Sequence, residues 1–240
     1  MYKIIVIDDD DSLREIIVEL LELNEFDVFN YSGGTEGIKG ITENKPDLVV
    51  CDIMMPEVNG YEVLKKIRNN PEVKNTPFVF LSAKIETKDF RKGMNLGADD
   101  YLTKPFELEE LLKIIKSRIR KHQDLLKESE YKYRTLFEQS SDGILICDVD
   151  GTISDINTSF TEILGYLKED LAGMRLCSLK ADEEDKLKES LKKLLDYNSV
   201  ITEEIELKDK NGNTINIEYK AKRIYRDIIQ IIIRDISKRA

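Results

Sequence analysis

Val49-Val50-Cys51-Asp52-Ile53-Met54-Met55-Pro56 is the stretch that decides the fold of the first half of this 240-residue chain. An apolar run ends there on a single carboxylate, Asp52, and the chain then breaks at a proline. Such a run is typical of a strand buried on both faces, and a parallel sheet presents its chemistry at the edge where such strands end. The residues that other strands bring to that edge therefore determine what this half of the chain does.

Strand-like and helix-like segments alternate on both sides of this stretch. Short apolar runs predict further strands at residues 3–7, 26–29 and 78–81, and residues 100–105 are predicted to form the fifth strand and the turn after it. Leu and Ile at helical spacing predict helices between the strands, of which the fourth ends near Leu96. This alternation predicts an α/β domain with a five-stranded parallel sheet.

Polar side chains stand where four of these predicted strands end. They are Asp8, Asp9, Asp52, Ser82 and Lys104. Three crowded carboxylates repel one another by several kcal/mol per pair even at an effective dielectric constant of ~20. A hard divalent cation compensates such a cluster, and Mg²⁺ fits because it takes carboxylate oxygens and bridges to phosphate.

The same residues predict phosphoryl transfer to a carboxylate. Attack by Asp52 on a phosphoryl donor gives an aspartyl-phosphate. Lys104 and Mg²⁺ neutralise charge on the transferring group, which is most of what this chemistry asks of a protein. The Ser82 hydroxyl is a donor for the anion carried by Asp52.

Residues 1–120 resemble the receiver domain of two-component response regulators. The shared motifs are Asp8-Asp9, the segment 52–56 with Gly60, Leu81-Ser82-Ala83, and the segment 100–106. The resemblance implies a flavodoxin-like fold, a Mg²⁺ ligand in the backbone carbonyl of Met54, and a conformational switch formed by Ser82 and Tyr101. It also implies a cognate histidine kinase or phosphotransfer protein as partner.

Two residues near the site have side chains that are unsuited to rapid dephosphorylation of Asp52. Met54 cannot orient an attacking water, and Lys84 cannot act as a base while it is charged. We therefore expect a long-lived phosphoryl state on Asp52.

Residues 107–139 contain neither proline nor glycine and predict one long helix. Its stripe alternates by four and three residues, the spacing of a coiled-coil seam: Leu108, Leu112, Ile115, Ile119, His122, Leu126, Ser129, Tyr133 and Leu136. The helix packs first on the receiver sheet, so residues 121–138 form a helical linker that is free to make a parallel homodimer. A single bent or fraying linker is the alternative. His122, the only histidine, is interpreted as a polar residue of the seam.

Residues 130–240 change to short strands and turns. Strands are predicted at 143–148, 152–156, 201–208, 214–223 and 225–236, with helices after Asn157 and at 183–195 and an irregular segment at 170–179. The ordered motifs resemble a PAS domain: 133–137, 148–151, Asn157 with Phe160, 163–166, 208–212 and 234–237. The resemblance implies an α+β fold with a five-stranded antiparallel sheet and a role in sensing or dimerisation.

The residues narrow the choice of a ligand for this second domain. It has no histidine to serve as an axial haem ligand, and Cys147 and Cys177 lack the surroundings of flavin-binding photosensory domains. Haem and covalent flavin are therefore disfavoured. A small organic ligand of unknown identity and a ligand-free packed core remain as alternatives.

The formal net charge of −10 argues against a nucleic-acid partner, because such a protein must offset phosphate charge with Lys and Arg. No apolar run reaches the length of a membrane span, so no membrane partner is expected. Three widely separated cysteines indicate a reduced, cytoplasmic protein.

The sequence thus predicts two-component phosphorelay signalling, in which Asp52 accepts a phosphoryl group and the linker passes the change to the PAS domain. The ending at residue 240 leads us to expect an output domain beyond it. An adaptor or phosphate sink whose PAS domain recruits a protein is the alternative, and an autonomous phosphatase is a third. The only catalysis expected of these residues is the receiver's own phosphotransfer.

Overall fold

The computed structural model describes residues 1–83, 91, 93–176, 200–225 and 227–237. The predicted helix at 183–195, most of the helix that ends near Leu96, and the residues Lys84 and Cys177 lie outside these ranges. The chain forms two compact units, Met1–Glu128 and Ser129–Ala240.

The first unit is a parallel α/β sheet in the order β2-β1-β3-β4-β5. Its strands are β1 (Lys3–Ile7), β2 (Asp27–Tyr31), β3 (Leu48–Asp52), β4 (Phe78–Ser82) and β5 (Asp100–Thr103). Its first helices are α1 (Asp11–Leu23), α2 (Gly34–Asn44) and α3 (Gly60–Arg68). All neighbouring strands pair in parallel, and β3 and β4 are buried over their whole length. The predicted five-stranded parallel sheet is confirmed.

Apolar clusters cover both faces of this sheet. Ile5, Val49 and Phe80 belong to the cluster that includes the inner face of α3. Val6 and Val50 belong to the opposite cluster, which includes α1 and the first turns of the long helix. Burial on both faces explains why these strands are continuous apolar runs and do not alternate.

The long helix α4 runs unbroken over Leu108–Glu138 and links the two units. Leu111, Ile115 and Ile119 are its buried residues in the first unit. The predicted seam placed Leu108 and Leu112 on this face, but both are only half-buried. Ile115 and Ile119 of the predicted seam are buried, and Leu112 packs against the same cluster. Leu111 lies off the seam and is buried as well, because a helix that packs on a sheet buries a wider face than the narrow seam of a coiled coil.

The second unit is the five-stranded antiparallel sheet that was predicted, and its strand order is β7-β6-β10-β9-β8. Its strands are β6 (Gly143–Asp148), β7 (Ile153–Ile156), β8 (Ile201–Lys208), β9 (Thr214–Tyr225) and β10 (Ile228–Asp235). Asn157 caps helix α5 (Thr158–Leu164), and Gly165 ends it in the left-handed conformation.

Two predictions for this unit are wrong in detail. Lys168–Leu171 forms a short helix, α6, where part of an irregular segment was predicted, and Asp170 accepts a hydrogen bond from the Leu167 N–H at its start. Tyr225 belongs to β9 and not to the last strand, because β9 and β10 pair as a hairpin in which Tyr225 lies opposite Ile228.

Candidate functional site

Three carboxylates converge at the carboxyl edge of the parallel sheet. Asp8 follows β1, Asp52 is the last residue of β3, and Asp9 follows Asp8. Carboxylate oxygens of these residues lie within 4.8 Å of one another. Asp8 is fully buried and Asp52 is 4 % exposed, whereas Asp9 is exposed.

Lys104 reaches this cluster from the end of β5. Its Nζ lies 2.7 Å from Asp52 Oδ1 and 2.8 Å from Asp8 Oδ2. The Lys104 backbone N–H donates to the carbonyl oxygen of Ser82 at 2.7 Å, which ties the ends of β4 and β5 together. One ammonium group thus bridges carboxylates from two different strands, because both strands end at the same edge.

Electrostatics at the site follow from burial and from this bridge. Burial raises the pKa of Asp8, and hydrogen bonds from Lys104 and the Asp10 N–H offset only part of that increase. Burial alone lowers the pKa of Lys104, but its hydrogen bonds to Asp52 and Asp8 outweigh burial, so that pKa is raised. One ammonium against three carboxylates leaves a net negative site.

The donor set fits a hard divalent cation. All three candidate ligand groups are carboxylates, two of them are buried, and their oxygens are close enough to share one ion. Oxygen ligands of this kind are those that Mg²⁺ prefers. Receiver-like chemistry therefore has a chemically suitable metal position here.

Backbone geometry orients Asp52 further. The Met54 N–H donates to Asp52 Oδ2 at 2.9 Å, while the Met54 side chain is 73 % exposed. Gly60 lies against the same loop, where an added Cβ would come within 2.4 Å of the Asp52 carbonyl oxygen. Glycine is therefore the residue that lets α3 begin this close to the acceptor strand.

A groove of about 600 Å³ opens beside the cluster. Asp9, Met54, Pro56 and Asn59 are among its lining residues. Asn59 also caps α3, accepting a hydrogen bond from the Glu62 N–H. Asp9 is the member of the acidic cluster that lines this groove.

Ser82 and Tyr101 occupy different places. Ser82 is buried at the end of β4, the strand beside Asp52. Tyr101 lies further back in β5, is 8 % exposed, and packs against the Phe80 ring at a centroid distance of 5.1 Å. The fold thus brings Ser82 to the edge and buries Tyr101 in the core beneath it.

Sequence reasoning missed Arg14, whose side chain donates to the carbonyl oxygen of Asp8 at 2.6 Å. A single basic residue shortly after four consecutive aspartates was the signal that pointed to it. It also missed most of the hydrogen bonds that the Asn157 side chain makes. This buried amide accepts from the N–H groups of Ile144 and Phe160 and donates to the carbonyls of Phe137 and Asp142.

Comparisons with known proteins agree with the two domains. Residues 4–116 match the response regulator receiver domain family, and residues 141–238 match a PAS domain family. No helix among the residues that the structure describes is both long and apolar enough to cross a membrane.

Similar sequences include DNA-binding response regulator MtrA of Mycolicibacterium paratuberculosis, 38 % identical over 122 residues, which are 51 % of this chain and 53 % of MtrA. Response regulator ArlR of Staphylococcus saprophyticus is 37 % identical over 121 residues, with 50 % and 54 % covered. The chain thus spans about half the length of these curated relatives.

The receiver domain of Francisella response regulator 1452 is a similar solved structure. It is 35 % identical, covers 50 % of this chain and 98 % of its own, and has a TM-score of 0.48. The two family matches agree with the two sheets. The chain therefore combines a response regulator receiver domain of two-component signal transduction with a PAS domain that follows it.

Proposed function

We propose that this protein accepts a phosphoryl group on Asp52 from a cognate histidine kinase or phosphotransfer protein. The observation that carries the proposal is the contact of Lys104 Nζ with both Asp52 and Asp8 beside a third carboxylate. This arrangement concentrates one nucleophile, one fixed cation and a metal-suitable donor set at a solvent-accessible edge.

In this mechanism an Asp52 carboxylate oxygen attacks the phosphorus of the donor, and the donor group leaves with the electron pair of the broken bond. Lys104 stays in place as a fixed positive charge, and Ser82 supplies a hydroxyl at the neighbouring strand end. Mg²⁺, held by Asp8, Asp9, Asp52 and the Met54 carbonyl, supplies further charge neutralisation when it is bound. Burial raises the pKa of Cys51 well above its ordinary value, so the adjacent thiol does not compete as a nucleophile.

Labelling with acetyl phosphate tests this assignment. We expect the wild-type chain to gain one phosphoryl group in the presence of Mg²⁺, and Asp52→Asn to gain none, by intact mass spectrometry. Glu36→Gln is the matched control, because Glu36 is an exposed carboxylate in the first turn of α2 in the same domain. Labelling that survives Asp52→Asn would contradict the proposal.

The persistence of the phosphoryl group is a second, separable part of the proposal. The side chain two residues beyond Asp52 is an exposed thioether, which cannot hold an attacking water in line. We expect Met54→Asn to shorten the lifetime of the phosphorylated state, measured after removal of acetyl phosphate. Rapid loss in the wild type that Met54→Asn does not accelerate would contradict this part.

We propose that α4 carries the signal between the domains. In the receiver unit, Arg118 on α4 pairs with Asp100 at 2.7 Å, next to the proposed switch residue Tyr101. In the PAS unit, Arg134 pairs with Asp155 at 2.7 Å, and Glu138 accepts hydrogen bonds from Thr158. Each end of this continuous helix thus makes ion pairs or hydrogen bonds with a different domain. Such contacts at both ends are needed if a conformational change is to pass along the helix.

Phosphorylation should then change hydrogen–deuterium exchange in the PAS unit as well as in the receiver. Arg118→Ala should weaken the change in the PAS unit and leave labelling of Asp52 intact. Equal exchange changes in wild type and Arg118→Ala would contradict a relay through this ion pair.

A parallel homodimer through the linker is also proposed. Leu126 and Leu136, which lie on the predicted seam, are 56 % and 74 % exposed in the single chain. Leu126→Asp should shift the mass in solution from dimer to monomer by light scattering. Tyr131→Asp is the control, because Tyr131 is 73 % exposed but lies off the seam. A monomeric wild type would contradict the dimer.

For the PAS domain we propose sensing or dimerisation without haem or covalent flavin. Burial raises the pKa of Cys147 to about 12, so this thiol stays protonated at neutral pH and lacks the nucleophilic form. We also propose a cytoplasmic location, because both described cysteines are buried free thiols, which suits a reducing compartment.

A further inference from the structure

Arg14 holds the peptide from which the acidic cluster is built. Its side chain is 12 % exposed and its guanidinium group has three acceptors. One terminal nitrogen donates to the Asp8 carbonyl oxygen at 2.6 Å, Nε donates to Asn30 Oδ1 at 3.3 Å, and the other terminal nitrogen pairs with Asp11. One side chain on α1 therefore joins the end of β1, the end of β2 and the first turn of its own helix.

The contact with Asp8 is to the backbone, and this determines its effect. The Asp8 carbonyl belongs to the planar peptide that connects Asp8 to Asp9, so fixing that oxygen fixes the direction in which both residues leave the strand. On the other side of the residue, the Asp8 N–H donates to the Tyr31 carbonyl at 3.2 Å. The backbone of Asp8 is thus hydrogen-bonded both to β2 and to a side chain of α1.

We propose that Arg14 is a positioning residue for metal binding, which acts by aiming the Asp8 and Asp9 carboxylates and does not itself contact the ion. The inference rests on the proposed function, since it assigns Arg14 to the same Mg²⁺ position. Residues that hydrogen-bond to metal ligands, without contacting the metal themselves, strongly affect metal affinity.

The geometry requires arginine at this position. The three acceptors lie on three separate segments, and a guanidinium group presents five N–H donors in a rigid planar fork that can meet them together. A lysine has the same charge but carries all its donors on one nitrogen. The Arg14→Lys variant therefore retains the charge near the cluster and loses part of the fork.

Arg68 provides a matched control in the same domain. It is also a mostly buried arginine, with a side chain 21 % exposed, and it donates to the carbonyls of Gly97, Lys74 and Thr76 and pairs with Asp99. Arg68 makes these contacts with loops that lie away from the acidic cluster. Arg68→Ala thus reproduces the loss of a buried arginine and of its loop contacts without touching Asp8.

The test is the Mg²⁺ dissociation constant of the 240-residue chain, measured by calorimetric titration on variants shown to be folded by circular dichroism. We expect Arg14→Ala to raise it about tenfold, Arg14→Lys to raise it less, and Arg68→Ala to leave it unchanged. Saturating Mg²⁺ should restore most of the rate at which acetyl phosphate labels Asp52 in Arg14→Ala. If Arg14→Ala does not fold, Arg14→Lys decides the question.

An Arg14→Lys affinity equal to that of wild type in folded protein would overturn the inference, and so would an equal loss in Arg68→Ala. These outcomes leave the proposed function intact, because wild-type binding and labelling persist. A wild-type chain that neither binds Mg²⁺ nor is labelled would overturn both.

Discussion

The receiver unit and the PAS unit differ in the kind of polar side chain that they bury. Among the described residues, five polar or charged residues are buried, and four of them, Asp8, Asp52, Ser82 and Thr76, lie in the receiver unit. In the PAS unit the buried one is Asn157, whose amide has hydrogen-bond partners on both its oxygen and its nitrogen.

The ion pairs made by Lys104 are more buried than the described ion pairs of the PAS unit. Lys104 meets carboxylates that are at most 6 % exposed, whereas the PAS pairs Arg234–Asp142 and Lys210–Asp170 have side chains 25 % to 50 % exposed. Buried charge is costly and persists where chemistry uses it, while a satisfied neutral amide costs little and fixes geometry. The comparison therefore supports the proposal that the receiver edge carries the chemistry, and it gives the buried amide of the PAS unit a structural role.

The largest expected effect comes from removing the half-buried cation Lys104 of the receiver. Lys104→Met should slow labelling of Asp52 by acetyl phosphate by about a hundredfold, the usual effect of losing one preorganised charge that faces the transition state. The exposed residue Lys39 provides the control Lys39→Met, since its partner Glu43 is 3.9 Å away on the same helix. Similar rates for the two variants would end the assignment of chemistry to Lys104.

The next effect contrasts two asparagine caps. Asn157→Ala removes the cap of α5 and leaves the Phe137 and Asp142 carbonyls without this donor, so we expect a loss of about 3 kcal/mol in the unfolding free energy of the PAS unit. Asn59→Ala removes a solvent-accessible cap of α3 and should cost about 1 kcal/mol in the receiver. Hydrogen–deuterium exchange resolves the two units, and equal losses would refute the special role of Asn157.

A smaller effect is the opposite response of two carboxylates to pH. Burial raises the pKa of Asp8 above its ordinary value, so its ionisation costs folding free energy at neutral pH without Mg²⁺, and this cost disappears below pH 3.8. A hydrogen bond from Arg234 lowers the pKa of Asp142, so its contribution is present above pH 3.8 and is lost as pH falls through the folded value.

Asp8→Asn should therefore stabilise the receiver unit at pH 7 in Mg²⁺-free buffer, with a gain that fades toward acid. Asp142→Asn should destabilise the PAS unit at pH 7, with a loss that also fades toward acid. Denaturant unfolding at pH 7 and at successively lower pH measures both differences, and changes of the same sign at pH 7 would contradict the comparison.

The smallest effect is expected at the PAS surface. Lys210 and Asp170 lie 2.8 Å apart with side chains 47 % and 42 % exposed, and exposed pairs of this kind contribute little. Lys210→Met should leave the unfolding midpoint of the PAS unit unchanged within error. A large shift there would show that this surface pair is structurally important, against the division drawn above.

How much could be predicted from the sequence depends on the range of the interactions. The positions of Asp8, Asp9, Asp52, Ser82 and Lys104 followed from local patterns, because each stands where an apolar strand ends and parallel strands end at one edge. The Gly143–Asp148 strand and the Asn157 cap followed from similarly local signals. The roles of the site residues and of the Met54 carbonyl stay predictions, for which the geometry at Asp52 provides support.

The sequence by itself determined the two domains and the identity of the residues at the acidic edge, since strand ends and turn residues are properties of short segments. Only the tertiary structure decided that Lys104 bridges Asp8 and Asp52, that Arg14 holds the Asp8 carbonyl, and that Leu111, which lies off the predicted seam, belongs to the buried face of α4. The Lys104 contacts join segments far apart in the chain, the Arg14 contact depends on where one side chain reaches, and the burial of Leu111 depends on the rotation of a helix against a sheet. Side-chain packing in the folded protein determines all three, and the local sequence pattern does not.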